Sequence, residues 1–180
     1  MKQLRHTFRF LFIFLALYLV LNLIYSAWIT SLGTQPDPLT RWVSVQTSWL
    51  LNRFGEATTV QNHFTRPTVS IIAEETVVLS VFEGCNGVNV AIVFVSFLAA
   101  FGGRVRAMAW FLPGGLLIIH FFNIARVTLL YAVARYHYHY FYYVHKYLFT
   151  ALLYIVVFAL WWIWIEKVSG LSLRSTITHD

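Results

Sequence analysis

Long apolar runs separated by short polar segments dominate the pattern along this chain. The pattern predicts four membrane-spanning helices, at residues 8–27, 84–101, 107–131 and 146–165. A helix needs about 20 apolar residues to cross the hydrocarbon of a bilayer, and soluble domains seldom contain one such run. The first run is longer than the apolar part of a cleaved signal peptide, so we expect an uncleaved anchor. The expected fold is an all-α integral membrane protein, with residues 1–180 forming a single membrane domain.

The most polar stretch, residues 28–83, is expected to lie outside the membrane as a periplasmic insert. Within it, apolar residues at helical spacings over residues 39–54 predict a helix that lies on, or dips into, the membrane interface. Residues 68–73 and 76–82 are rich in Val, Ile and Thr and predict a small β-hairpin. Because two strands alone are marginally stable, the hairpin is expected to be supported by the rest of the protein or by the membrane.

Composition and charge agree with a membrane location. Hydrophobic residues make up 59% of the chain and charged residues 11%, against about 45–50% and about 25% in soluble proteins. The net charge is +6, but no cluster of Lys and Arg is dense enough to follow a phosphate backbone, which excludes nucleic-acid binding. Basic residues near the ends of the apolar runs predict that both termini are cytoplasmic. These residues are Lys2, Arg5, Arg9, Arg104, Arg106, Lys167 and Arg174.

The chain has one cysteine, which excludes an internal disulfide and paired-cysteine zinc sites. Cys85 is predicted at the outer start of the second helix, between Glu83-Gly84 and Asn86-Gly87. The positive end of a helix dipole lowers the pKa of a nearby thiol, and a protonated histidine lowers it further. Cys85 is therefore a candidate nucleophile, and the alternative is inert packing in a core.

A polar stripe marks one face of the third predicted helix. His120, Asn123 and Arg126 repeat every three residues, which places them on one side of a helix. A guanidinium in an apolar helix costs about 2.5–3.5 kcal/mol on insertion scales and tends to face a protein interior. Arg126 is then about 8 Å below a helix exit at Tyr131. The alternative is that Arg126 extends to the membrane surface.

Three histidines lie near the outer end of the fourth predicted helix. His145 is preferred as a general base because it is held where the helix begins, whereas His137 and His139 lie in a tyrosine-rich loop. One alternative makes all three histidines ligands of a metal or cofactor. Another alternative is a non-catalytic partner in a membrane assembly.

Several segments resemble one known family. EGCNGVNVAIVFVSF at 83–97, NIARV at 123–127 and HKYLFTALLYIVVFALWWIWIEK at 145–167 are similar to the exosortase/archaeosortase family, most closely to its exosortase F branch. Asp-Pro-Leu-Thr at 37–40 and Leu-Leu-Asn-Arg-Phe-Gly at 50–55 also resemble that branch. The resemblance extends over nearly the whole chain.

The resemblance implies a membrane-embedded cysteine peptidase or transpeptidase without a cofactor or a metal. Such enzymes act on proteins with a C-terminal sorting signal, which consists of a short motif, a transmembrane helix and a basic cluster. The catalytic positions of the family fall on Cys85, Arg126 and His145, and Asn86 and Asn123 are expected to support them. The implied location is the bacterial inner membrane, with the lipid bilayer as a partner and the site facing the periplasm.

Overall fold

A computed structural model describes residues 2–169 of the chain. Residues 170–180, which include the predicted cytoplasmic residue Arg174 and most of the polar tail, lie outside the described residues. The described part is mainly helical with one small sheet, in agreement with the predicted all-α membrane fold. The helices are α1 (Lys2–Ser31), α2 (Pro38–Arg53), α3 (Val88–Phe101), α4 (Val105–Tyr136) and α5 (Tyr138–Val168).

Three helices are long and apolar enough to cross a membrane, as judged over the described residues. They are Leu4–Ser31 within α1, the whole of α4 and the whole of α5. The fourth apolar helix, α3, has 14 residues and is therefore about 21 Å long, shorter than the roughly 30 Å of bilayer hydrocarbon.

Helix α3 begins at Val88, four residues later than the prediction for 84–101. Glu83–Cys85 form a short 3-10 turn instead, and Gly87 has a φ of 85° that interrupts the helix. The side chain of Asn86 accepts a hydrogen bond from the Val88 N–H at 2.9 Å and so satisfies the start of the helix.

The two later spans are longer than predicted. Helix α4 continues to Tyr136 rather than ending at 131, so Arg126 lies about 15 Å from the end of the helix. Helix α5 begins at Tyr138, and the tyrosine-rich segment predicted as a loop is therefore helical. Val144–Leu148 adopt a π-helical turn within α5.

The predicted hairpin is part of a three-stranded antiparallel sheet with the order β1 (Thr58–Asn62), β2 (Val69–Ala73) and β3 (Thr76–Val81). The hairpin prediction found β2 and β3 but missed β1. Strand β1 exposes alternate polar residues, which gives a weak apolar signal. Its first residue is held by Asn52, which accepts from the Thr58 N–H at 2.7 Å.

The chain forms two compact units. The first contains residues 2–25, 89–119 and 154–169, and the second contains residues 26–88 and 120–153. The first unit has a core that includes Phe94, Leu98, Val157 and Trp164. The core of the second unit includes residues from α2, the sheet and α4, together with the cysteine: Val43, Leu51, Ile71, Leu79, Val81, Cys85, Val127, Leu130 and Tyr131.

Candidate active site

Cys85 lies within the core of the second unit. Its side chain is buried, with 3% of the residue exposed. The Cys85 N–H donates to the Phe82 carbonyl at 2.8 Å, which closes the 3-10 turn. The Cys85 carbonyl accepts from the Asn123 Nδ2 at 2.9 Å. The loop containing the thiol is thus hydrogen-bonded to α4.

Arg126 approaches the same sulfur. Its Nη2 lies 3.9 Å from the Cys85 Sγ, and its Nη1 donates to the Asn123 Oδ1 at 3.3 Å. The residue is only 6% exposed, and its Nε has no hydrogen-bond partner among the described residues. The Nε N–H of Arg126 is therefore unpaired within the described residues, and the side chain does not extend to a surface.

The pKa of the Cys85 thiol is raised, whereas the sequence analysis expected it to be lowered. Burial is the largest influence and raises the pKa above its usual value, while the positive charge of Arg126 opposes the rise. The expected lowering by a helix N-terminus is outweighed by burial, and Cys85 lies in a 3-10 turn rather than at the start of an α-helix. A raised pKa favours the neutral thiol over the thiolate, which is the reactive form.

His145 lies in the π-helical turn of α5. Its ring stacks on Phe141 with the centroids 5.8 Å apart, and Phe141 and Val144 pack against the cluster that contains Cys85. The Nδ1 of His145 is buried without a hydrogen-bond partner within the described part of the chain. Single π-helical turns occur often at functional sites.

The remaining polar candidates are placed differently. His120 does not join Asn123 and Arg126 at the cysteine: its Nε2 lies 2.8 Å from the Gln46 Oε1, and its ring stacks on Trp42. His137 and His139 are exposed. No group of three or more His, Cys, Asp or Glu side chains within the described ranges is arranged to hold a metal, so the metal-site alternative has no geometric support there.

Sequence reasoning missed one polar group near the cysteine. The Asn86 Nδ2 lies 3.3 Å from both the Asp37 Oδ1 and the Thr40 Oγ1. All three residues are buried. Asp-Pro-Leu-Thr is a helix-start pattern, with a capping Asp followed by Pro at the first helical position. That pattern locates α2, but it does not indicate a contact with the neighbour of Cys85.

Comparison with known proteins decides the family. Residues 2–163 match the family model described as transmembrane exosortase (Exosortase_EpsH). The chain belongs to the transmembrane exosortase family. Neither the curated proteins nor the solved structures include a match to this exosortase. The matched region contains Cys85, Arg126 and His145, and the family together with the three long apolar helices makes the chain a multi-pass membrane protein with an exosortase-type function.

Proposed function

We propose that this exosortase is a cysteine transpeptidase of the exosortase F branch, with Cys85 as the nucleophile. The observation that supports the proposal best is the contact between the buried Cys85 Sγ and the guanidinium of Arg126 at 3.9 Å. A lone buried thiol in contact with a buried cation that still has a free donor is unusual for a packing residue. The catalytic roles are assigned on this geometry and on the family resemblance.

The proposed reaction begins with His145 as the general base. His145 takes the thiol proton, and the sulfur of Cys85 attacks the carbonyl carbon of a substrate peptide bond. The negative charge on the carbonyl oxygen is stabilised by the guanidinium of Arg126. The C–N bond then breaks as His145 returns the proton to the leaving amine, which leaves a thioester on Cys85. An acceptor amine, or water, attacks the thioester and regenerates the thiol.

The proposed substrate is an exported protein with a C-terminal sorting signal: a short motif, a transmembrane helix and a basic cluster. Multi-pass helices in the enzyme are suited to receive such a helix within the same bilayer. We place the enzyme in the bacterial inner membrane with both termini cytoplasmic and Cys85 on the periplasmic side. Basic residues at the predicted cytoplasmic ends of the spans support this orientation.

The test compares Cys85→Ala with Ser96→Ala in the producing cell. Each change removes one heteroatom from a small buried side chain, but Ser96 belongs to the other unit and its hydroxyl has no hydrogen-bond partner among the described residues. Substrates are identified as exported proteins that lose a C-terminal apolar segment only when the exosortase is present, measured by mass spectrometry. We expect Cys85→Ala to abolish this processing and Ser96→Ala to retain it. Full processing by Cys85→Ala, at equal protein level in the membrane, would refute the proposal.

A further inference from the structure

The N-terminus of α2 contains a buried carboxylate. Asp37 is 3% exposed and lies directly before Pro38, the first residue of the helix. Its Oδ1 accepts from the Thr40 N–H at 2.9 Å, and its Oδ2 accepts from the Thr40 hydroxyl. These bonds make Asp37 the N-cap of the helix.

The same carboxylate is joined to the loop that contains the thiol. Its Oδ1 also accepts from the Asn86 Nδ2 at 3.3 Å, across 49 residues of sequence. The Asn86 Oδ1 accepts from the Val88 N–H at 2.9 Å, so one amide side chain links α2 to the start of α3. A capping role alone requires none of these contacts to Asn86, because the cap is already satisfied within α2.

The loop is held from its other side by α4. Asn123 donates to the Cys85 carbonyl at 2.9 Å, and a Cβ added at Gly87 would lie 3.1 Å from the Asn123 Cγ. Residues 85–87 are thus fixed between an anchor on α2 and an anchor on α4. The α4 anchor also orients Arg126 through the Asn123 Oδ1, whereas the hydrogen bonds of the Asp37 side chain within the described part of the chain go to Thr40 and Asn86.

We propose that Asp37 is a positioning residue for Cys85, acting through Asn86 to hold the thiol in line with Arg126. This inference rests on the proposed function, because it assigns a role in the reaction of Cys85. A carboxylate suits the position since its Oδ1 receives two donors, the Thr40 N–H and the Asn86 amide. An asparagine keeps one acceptor oxygen there, whereas an alanine removes the Asp37 acceptor and leaves the Asn86 amide with the Thr40 hydroxyl on α2.

The test uses the only cysteine of the chain as its own reporter. The full-length protein in lipid nanodiscs is treated with N-ethylmaleimide, and the labelling rate of Cys85 is measured by intact mass. We expect Asp37→Ala to label about tenfold faster, because the loop opens more often when one anchor is lost. Substrate processing falls by about the same factor, so labelling and processing change in opposite directions. Asp37→Asn is expected to restore both to within about threefold of the wild-type values, since its oxygen still accepts from Asn86.

Two further variants separate positioning from general loosening. Ser48→Ala removes a buried hydrogen bond to Thr58 near the other end of α2 and is expected to lower the thermal midpoint without changing the labelling rate. Asn86→Ala should also label faster than the wild type. The double variant should raise the labelling rate by less than the product of the two single effects, because both changes remove the contact between Asp37 and Asn86. If Asp37→Ala does not accumulate, Asn86→Ala decides the question.

The inference is overturned if the labelling rate of both alanine variants equals that of the wild type, or if Asp37→Asn is as impaired as Asp37→Ala. Labelling needs no substrate and does not depend on the proposed reaction. Retained processing in Cys85→Ala therefore refutes the proposed function, while lost processing in Cys85→Ala combined with wild-type behaviour of Asp37→Ala refutes only the role of Asp37.

Discussion

At the scale of single residues, the environment of Cys85 sets when the thiol can react. Burial raises its pKa, and the charge of Arg126 partly offsets that rise. A raised pKa favours the neutral thiol, which reacts more slowly with oxidants and acylating groups than the thiolate does. In the proposed reaction a base takes the thiol proton, and His145 is the proposed base.

The opposing effects of burial and charge predict a pH dependence. Arg126→Gln removes the positive charge that lowers the thiol pKa, so the pH of half-maximal labelling of Cys85 should move upward. Arg135→Gln serves as the control, because Arg135 pairs with Glu56 and Glu74 and is absent from the influences on Cys85. The labelling rate of each variant is measured across pH. A profile for Arg126→Gln that moves downward, or coincides with that of the wild type, would contradict this account.

The three histidines can be compared directly. His145→Gln should reduce substrate processing by about 100-fold or more, the usual contribution of a general base. His137→Gln and His139→Gln should keep processing near the wild-type level, because both side chains are exposed whereas the Nδ1 of His145 is buried. Processing is measured by mass spectrometry at matched protein levels. Loss of processing in either control with retention in His145→Gln would reassign the base.

Local sequence patterns were enough to find some of these residues. The lone cysteine beside polar neighbours and the three-residue spacing of His120, Asn123 and Arg126 marked these residues as candidates. The structure brings Asn123 and Arg126 to Cys85, whereas His120 contacts Gln46. Asp37 was not found because its contact with Asn86 depends on how α2 packs. The thiol pKa was wrong in direction for a similar reason: burial is a property of the folded unit and cannot be obtained from the neighbours of Cys85 along the chain.

At the scale of elements, α2 has its polar side turned inward. Its buried residues are mostly hydroxyl-bearing: Thr40, Val43, Ser44, Thr47, Ser48 and Leu51. Leu39, Trp42, Val45 and Trp49 are exposed on the other side. The apolar spacing predicted an interfacial helix, and the exposed apolar side suits contact with lipid. The spacing alone did not indicate that hydroxyl groups form the packed side, since a soluble helix would bury the opposite face.

Replacing Thr47 tests how the buried side of α2 contributes to stability. Its Oγ1 is buried and has no hydrogen-bond partner within the described ranges, so Thr47→Val should raise stability by about 1 kcal/mol, the cost of an unsatisfied buried hydroxyl. Thr40→Val is the matched control on the same side of the helix, and it should lower stability because the Thr40 hydroxyl bonds to Asp37 and Asn86. Thermal midpoints in detergent give both values. A lower midpoint for Thr47→Val would show that its hydroxyl has a partner in the folded protein.

The sheet shows where strand prediction succeeds and fails. Strands β2 and β3 have dense Val and Ile and a tight turn at Glu74 and Glu75, where both residues have positive φ values. Strand β1 is an edge strand with few apolar residues, and its place depends on Ser48 and Asn52 of α2, which bind Thr58. The strand propensity of the β1 residues and their alternation of polar and apolar side chains are too weak to predict a strand whose position depends on tertiary contacts.

At the scale of the whole molecule, the orientation of the spans decides on which side of the membrane Cys85 lies. Apolar length predicted the membrane class, and the family and the long helices agree with it. The single-domain prediction stays a prediction. The ends of the helices were harder to predict than the helices themselves. Helix α3 starts after a glycine with positive φ, and α5 starts within a tyrosine-rich segment that was predicted as a loop.

The orientation can be tested with two engineered cysteines in a Cys85→Ala background. Thr65→Cys lies in the exposed turn between β1 and β2, and Val105→Cys lies at the exposed start of α4. A membrane-impermeant maleimide applied to spheroplasts should label Thr65→Cys at once. It should label Val105→Cys only after the membrane is permeabilised, because the neighbouring arginines are expected on the cytoplasmic side. The reverse pattern would contradict the proposed topology.

The most direct test of the central claim is to trap the acyl-enzyme. The purified exosortase is mixed with a substrate protein in nanodiscs without an acceptor amine, quenched in acid and analysed by intact mass and peptide mapping. The account predicts a mass increase equal to the N-terminal substrate fragment, attached to Cys85 and released by hydroxylamine as a thioester should be. Cleavage of the substrate with Cys85 unmodified throughout, or with the fragment attached to a different residue, would contradict it.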